Sequence, residues 1–194
     1  QTVSLSQFSF NSGSGNLELD PTLGDLTINA QNIWTNGNTI SVWGLKTLTI
    51  NNTGGNGIAN GIALGGGLHI RSNATAILTG SNSYTGATTI AGGGTLQLGN
   101  GGTAGGIAST SAVIFDPGST NNVLRFNRSD NPTFDREIRT GDNFNHRANI
   151  SVANGTSATL SGAITPTSGG GGEFWKLGGG TLTITPNAGS SGRT

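Results

Sequence analysis

Cysteine and methionine are missing altogether, there is a single tyrosine, and charged residues make up only 9% of the chain. Without cysteine there is no disulfide framework, no thiol nucleophile and no thiolate metal site, a usage that fits an extracellular or bacterial cell-surface protein. Nine basic residues balance nine acidic ones, so the formal net charge is zero. A neutral chain has no electrostatic footprint for nucleic acid or for an anionic membrane. Nowhere do 18 apolar residues run together, which excludes a membrane-spanning helix. Apolar residues never recur at i, i+3, i+4 and i+7, and the abundant glycine and threonine are poor helix formers, so long helices are excluded as well.

What the chain has instead is glycine, 35 residues of it, with asparagine, serine and threonine supplying the polar surface. Asn36-Gly37, Asn60-Gly61, Asn100-Gly101 and Asn154-Gly155 are dipeptides that tolerate positive φ, as tight corners require. Between the turns one short pattern returns. Leu26-Thr27-Ile28, Leu48-Thr49-Ile50, Leu68-His69-Ile70, Leu96-Gln97-Leu98 and Leu182-Thr183-Ile184 each place an aliphatic, an outward residue and another aliphatic in sequence. Alternation with period 2 describes a strand with one buried face. Strands this short do not stand alone and need copies stacked above and below. The intervals Leu26 to Leu48, Leu48 to Leu68 and Leu160 to Leu182 are 22, 20 and 22 residues, the period of a solenoid, while Leu68 to Leu96 and Leu96 to Leu124 are 28 and Leu124 to Leu160 is 36, read as coils that carry loops on one side.

The glycine-rich Gly92 to Gly102, the preceding Ser81 to Ile90, Val123 to Asp130 and Trp175 to Thr185 together resemble the autotransporter-associated β-strand repeat. The resemblance spans about residues 77 to 185. It implies a right-handed parallel β-helix from the passenger region of a large bacterial surface protein. The expected architecture is therefore all-β, a single right-handed β-solenoid domain over residues 1–194. With roughly 22 residues per coil it has about eight turns, and with ~4.8 Å between stacked strands it is a rod. Gln1 is not an initiator residue, and the chain is read as beginning after a removed signal peptide.

Residues 1–24, with the alternating Val3, Leu5, Phe8 and Phe10, are expected to cap the first coil or to pair with the open end of a neighbouring copy. Half of the eighteen charges fall between Arg125 and Arg147. This segment is expected to be a charged lateral loop, mostly solvated and internally paired. Within it Asp135, Arg136, Glu137 and Arg139 are the candidate binding residues, with an acidic glycan or a lyase-type reaction as the chemistry they would serve.

Other signals are weak. Gly54 to Ala59 imitates a calcium-binding glycine motif but puts Ala59 where a carboxylate ligand is needed. Gly99 to Ala104 has the spacing of a dinucleotide fingerprint with no helix after it. Trp34 and Trp43 are expected to pack on the column rather than bind sugar. The two histidines, His69 and His146, are too few for a metal site. The expectation is a structural or adhesive module, not an enzyme, without cofactor or metal, whose partners are copies of itself end to end or adjoining repeats, with surface glycans as the alternative ligand.

Overall fold

The computed structural model describes residues 1–9, 17–19, 24–44, 46–59, 66–108, 110–142, 145–167 and 171–185, without the side chains of 5–9, 17–19, 53–56 and 59. The chain winds in successive coils. In order these contribute β1 (Thr2–Ser9) and β2 (Leu17–Leu19), β3 (Leu26–Trp34) and β4 (Ile40–Val42), β5 (Thr47–Ala59) and β6 (Leu68–Ile70), and β7 (Thr75–Leu78) and β8 (Thr88–Ile90). Then follow β9 (Thr95–Leu98) and β10 (Ala112–Phe115), β11 (Val123–Phe126), β12 (Thr133–Phe134) and β13 (Glu137–Thr140), β14 (Arg147–Val152), β15 (Ser157–Leu160) and β16 (Ile164–Pro166), and β17 (Glu173–Leu177) and β18 (Thr181–Ile184). Among the described residues every ladder is parallel and none is helical.

Three sheets form the walls. The first has eight strands in the order β1-β3-β5-β7-β9-β11-β14-β17, the second seven in the order β16-β13-β10-β8-β6-β4-β2, and the third only β12-β15-β18. Early in the stack no third ladder is needed, because β3 and β5 run on through an irregularity between Ala30 and Asn32 and pair Ile33 with Ile58 beyond it. The fold is thus the expected all-β parallel solenoid, with about six turns instead of eight.

Register explains the difference. Leu26 lies over Leu48, then Ala76, Leu96, Leu124, Ile150 and Lys176. The six steps between them are 22, 28, 20, 28, 26 and 26 residues, a mean of 25 from Leu26 to Lys176, so four of the six exceed the expected period of roughly 22. Leu68, whose motif copies that of Leu48, stands on the second sheet beneath Thr88, and Leu160 stands on the third beneath Ile184. The repeated Leu-x-Ile pattern marks any wall with one buried face, so the 20 residues from Leu48 to Leu68 run between two walls and fall short of the 28-residue coil from Leu48 to Ala76.

Columns of aliphatic side chains fill the interior. Leu48, Leu96, Leu124 and Ile150 are at most 1% exposed, as are Ile50, Leu78 and Val113 of neighbouring columns. Each fully buried aliphatic is worth roughly 1.5–3 kcal/mol in transfer free energy, and in a solenoid that gain depends on the coils directly above and below. Corners are tight and repeated. Arg71–Ala74 and Ala91–Gly94 each close on themselves through an amide to the carbonyl three residues back, at 3.1 and 2.9 Å, and Asn73 N donates to Gly92 O at 3.0 Å, so one corner seats on the next. Ser72, Asn73, Gly92 and Gly93 all have φ between 54° and 82°, the backbone that such two-residue corners demand.

Asparagine ties coils together. Asn51 Nδ2 donates to Asn29 Oδ1 at 2.9 Å, Asn29 Nδ2 to Ser4 Oγ at 3.2 Å, and Thr79 Oγ1 to Asn51 Oδ1 at 2.7 Å, a four-residue ladder up the first sheet. Asn82 is buried and saturated. Its Oδ1 accepts Ile58 N at 2.9 Å, while Nδ2 donates to Gly80 O and Gly106 O at 2.9 and 3.0 Å.

Candidate functional site

The charge-rich segment 125–147 is built into the column, not looped away from it. Strands β12 and β13 lie inside it, β11 ends in it and β14 begins at its last residue. Isoleucine and threonine explain this: in β13, Ile138 and Thr140 are buried while Glu137 and Arg139 alternate outward. The segment carries its charges on the outward positions of an ordinary coil.

Each candidate residue is engaged by a close neighbour. Arg136 grips Asp135 through Nε and Nη2 at 2.9 and 2.7 Å, and Arg139 Nη2 meets Glu137 Oε2 at 2.9 Å. Glu137 Oε1 also accepts the Thr165 hydroxyl of the following coil at 2.8 Å. The pattern extends to Arg128 with Asp130 at 2.9 and 2.5 Å and to His146 Nδ1 with Asp142 at 2.6 Å. The bound guanidinium holds Asp130, Asp135 and Glu137 below the usual carboxylate range, with Thr165 helping at Glu137. Carboxylates so held are ionised throughout the neutral range and are poorly matched to donating a proton there.

A shallow groove opens beside this coil, about 70 Å³ in volume, between Gly105–Ala108 and Pro132–Asp135. Its apolar floor contains Leu98 and the edge-to-face pair Phe126 and Phe134, whose ring centroids are 5.8 Å apart, and Arg128 and Asp135 stand at its rim. Arg128 Nη1 crosses to Gly105 O at 2.7 Å. The volume suits a few waters and falls below the ~300 Å³ at which small-molecule pockets begin.

A second cluster joins two coils on the first sheet and is invisible to local motif reading. Arg147 and Glu173 are paired in register, and Glu173 Oε2 accepts both Arg147 Nε and Trp175 Nε1 at 2.8 Å. The Arg147 guanidinium lies 4.1 Å from the centre of the Trp175 ring, a cation–π arrangement. Arg147 is the first cause holding the Glu173 carboxyl low, and the indole is the second. Trp175 remains 44% exposed. The three residues are separated by 26 and 28 positions, so the signal that would have found them is the true coil length.

Of the other expected residues, His69 sits between Ser41 and Thr89 on the second sheet. Burial, then Arg71, lowers its pKa, against a smaller opposing effect of Asp116. Its Nε2 is buried without a hydrogen-bond partner among the described residues, as are Trp43 Nε1 and Thr35 Oγ1. Trp34 and Trp43 are half-buried. At the opposite end, Val3 is exposed on β1, which pairs with β3 at the edge of the first sheet. Leu5 and Phe8 share that strand, their side chains outside the described set, and Phe10 lies outside the described residues, as does much of segment 1–24. No group of three potential metal ligands occurs among the described residues. Comparison with family models, with curated proteins and with solved structures found no match.

Proposed function

We propose that this chain is a structural or adhesive module of a bacterial surface protein, a stiff spacer of the autotransporter-associated repeat type, and that it performs no catalysis. The observation that carries the reading is the unbroken aliphatic column from Leu26 to Ile150, enclosed by outward threonine and asparagine and by charges that pair with their own neighbours. Such a column gives length and stiffness at a low cost in sequence, because each coil is supported by the next. Its partners in this reading are adjoining coils or copies met at its ends.

Protease treatment of intact source cells, followed by detection with an antibody raised against the chain, tests the location. Loss of the signal is expected, and a protein that survives while internal controls also survive overturns the surface assignment.

One observation favours a second reading, glycan binding through segment 125–147: the exposed Trp175 ring is held in place by Arg147, a residue of that segment. A panel of neutral and acidic glycans decides between the two. The spacer reading expects neither retention nor cleavage. Retention abolished by Trp175→Ala would favour the glycan reading, and cleavage would remove the non-enzymatic assignment.

A further inference from the structure

In the middle of the stack β10 runs directly into Asp116-Pro117-Gly118. Proline has no N–H to give to a ladder, so the strand ends there, and Gly118, at φ +102°, lets the chain turn. The bond between Asp116 and Pro117 is chemically weak. The aspartate carboxyl reaches the carbonyl carbon of its own residue through a five-membered ring, an attack with the advantage of an intramolecular reaction. The tertiary amide nitrogen of proline takes up a proton more readily than an ordinary peptide nitrogen, so it leaves more easily.

The fold adds a donor to this bond. Asp116 is exposed, so water reaches it, yet its backbone is held at both polar atoms: its N donates to Ile90 O at 2.9 Å, and its carbonyl oxygen accepts Asn122 Nδ2 at 3.1 Å. Asn122 is fully buried and fixed from two coils. Its Oδ1 accepts Gly93 N of the coil before, and its backbone oxygen accepts Asn149 Nδ2 of the coil after, both at 2.9 Å. A donor so fixed meets the charge that gathers on the carbonyl oxygen when a nucleophile adds, and its hydrogen bond strengthens as that charge grows. The charged groups nearest Asp116 by register are Arg71 and His69 two coils before it and Arg139 and Asp142 on the coil after. The step uses none of them.

We infer that Asp116–Pro117 is a self-cleavage site, with the buried Asn122 amide steadying the carbonyl oxygen of the bond that breaks. An Asp116 carboxyl oxygen bonds to the Asp116 carbonyl carbon, the bond from that carbon to the Pro117 nitrogen breaks, and the carboxyl proton passes to the nitrogen. Water then opens the cyclic anhydride and restores the Asp116 carboxyl beside a new C-terminal carboxyl. One event occurs per chain and no substrate is turned over, so the inference stands or falls apart from the spacer reading. The cut interlocks its own products: β10 stays with the first fragment and pairs with β13 of the second, while β11 of the second pairs with β9 of the first.

The test holds the folded chain at about pH 4, near the ordinary carboxylate range, with circular dichroism to verify the fold, and a second sample at the same pH in urea. Mass spectrometry follows fragments 1–116 and 117–194 and separates them from a cut at Asp20–Pro21, the other Asp–Pro bond of the chain, which lies outside the described residues. The parent, Asp116→Glu and Asn122→Ala are compared.

The folded parent is expected to cut after Asp116 at least about fivefold faster than the unfolded chain. Asp116→Glu, which lengthens the ring and leaves an exposed carboxyl in place, should cut at least about tenfold more slowly. A folded Asn122→Ala should fall to the rate of the unfolded parent. The cut parent should elute from a native sizing column as the intact chain does. A folded parent cut no faster than the unfolded one overturns the inference, as does Asp116→Glu or folded Asn122→Ala cutting at the parent rate. The first two comparisons decide it even where Asn122→Ala does not fold, and fragments that part on the native column overturn the interlocked joint.

Discussion

A single hydroxyl shows how polar atoms are accommodated in a column this thin. Tyr84 is fully buried; its phenol oxygen is 2.7 Å from Thr88 Oγ1, which is 3.0 Å from Thr110 Oγ1, and Thr110 donates to Gly86 O at 2.7 Å. Burial pushes the phenol pKa up, so Tyr84 stays neutral at any physiological pH. Tyr84→Phe keeps the ring and strands one end of this chain, and chemical denaturation should register a loss of about 1–2 kcal/mol. At His69 folding favours the neutral form, whereas at the paired carboxylates it favours the charged one. Its lowered folded-state pKa means that the unfolded chain takes up a proton first, so its contribution is intact above the ordinary value of 6.5 and erodes as pH falls below it. The midpoint of thermal unfolding should therefore drop between pH 7.5 and 5.5 by more in the parent than in His69→Thr. For Asp130, Asp135 and Glu137 the folded pKa is lowered, so their contribution is present above the ordinary carboxylate range and disappears only as pH falls through the lowered values. Because Glu137 is only half-buried and its partner Arg139 is exposed, Glu137→Gln should change stability by no more than about 1 kcal/mol, as measured by urea titration at pH 7.

At the scale of the element, the joints between coils depend on side-chain amides. Asn82→Ala removes the acceptor of the Ile58 amide and one of the donors at Gly80 O and Gly106 O; those two carbonyls keep a backbone N–H, so the buried Ile58 N–H is the group left unsatisfied. The expected loss is about 2–3 kcal/mol, with faster hydrogen exchange at Ile58 as the local signature. Glycine matters equally at a crowded corner: a Cβ on Gly105, at φ +119°, would overlap the Gly99 backbone of its own coil and Leu78 O of the coil before, so Gly105→Ala cannot be accommodated without moving the corner. Strands were the legible part of this sequence. Leu96-Gln97-Leu98 announces its buried face by alternation alone, and β9 carries it with Leu96 and Leu98 buried. Which wall a strand belongs to was not legible, because Leu48 and Leu68 present the same local pattern on different sheets. The partners of the site were hidden for the same reason: Asp135 with Arg136 can be read from adjacency, whereas Arg147 with Glu173 needs the spacing of the coils.

For the molecule as a whole, the eight strands of the first sheet step along one axis with about 4.8 Å between them, and stability is shared between neighbours. A cavity in the middle of the stack is then felt on both sides. Leu96→Ala, between Ala76 and Leu124, should cost about 2–5 kcal/mol by denaturant titration. A cost under 1 kcal/mol would mean that the coils are energetically separate.

The parallel ladders have one more consequence, a mechanical one. Their bonds lie along the axis, so tension applied between the two tips loads the coil boundaries in series and should peel them away singly. With the later coils 26 residues apart in register, each release would lengthen the tether by roughly 90 Å, a staircase that optical tweezers can resolve.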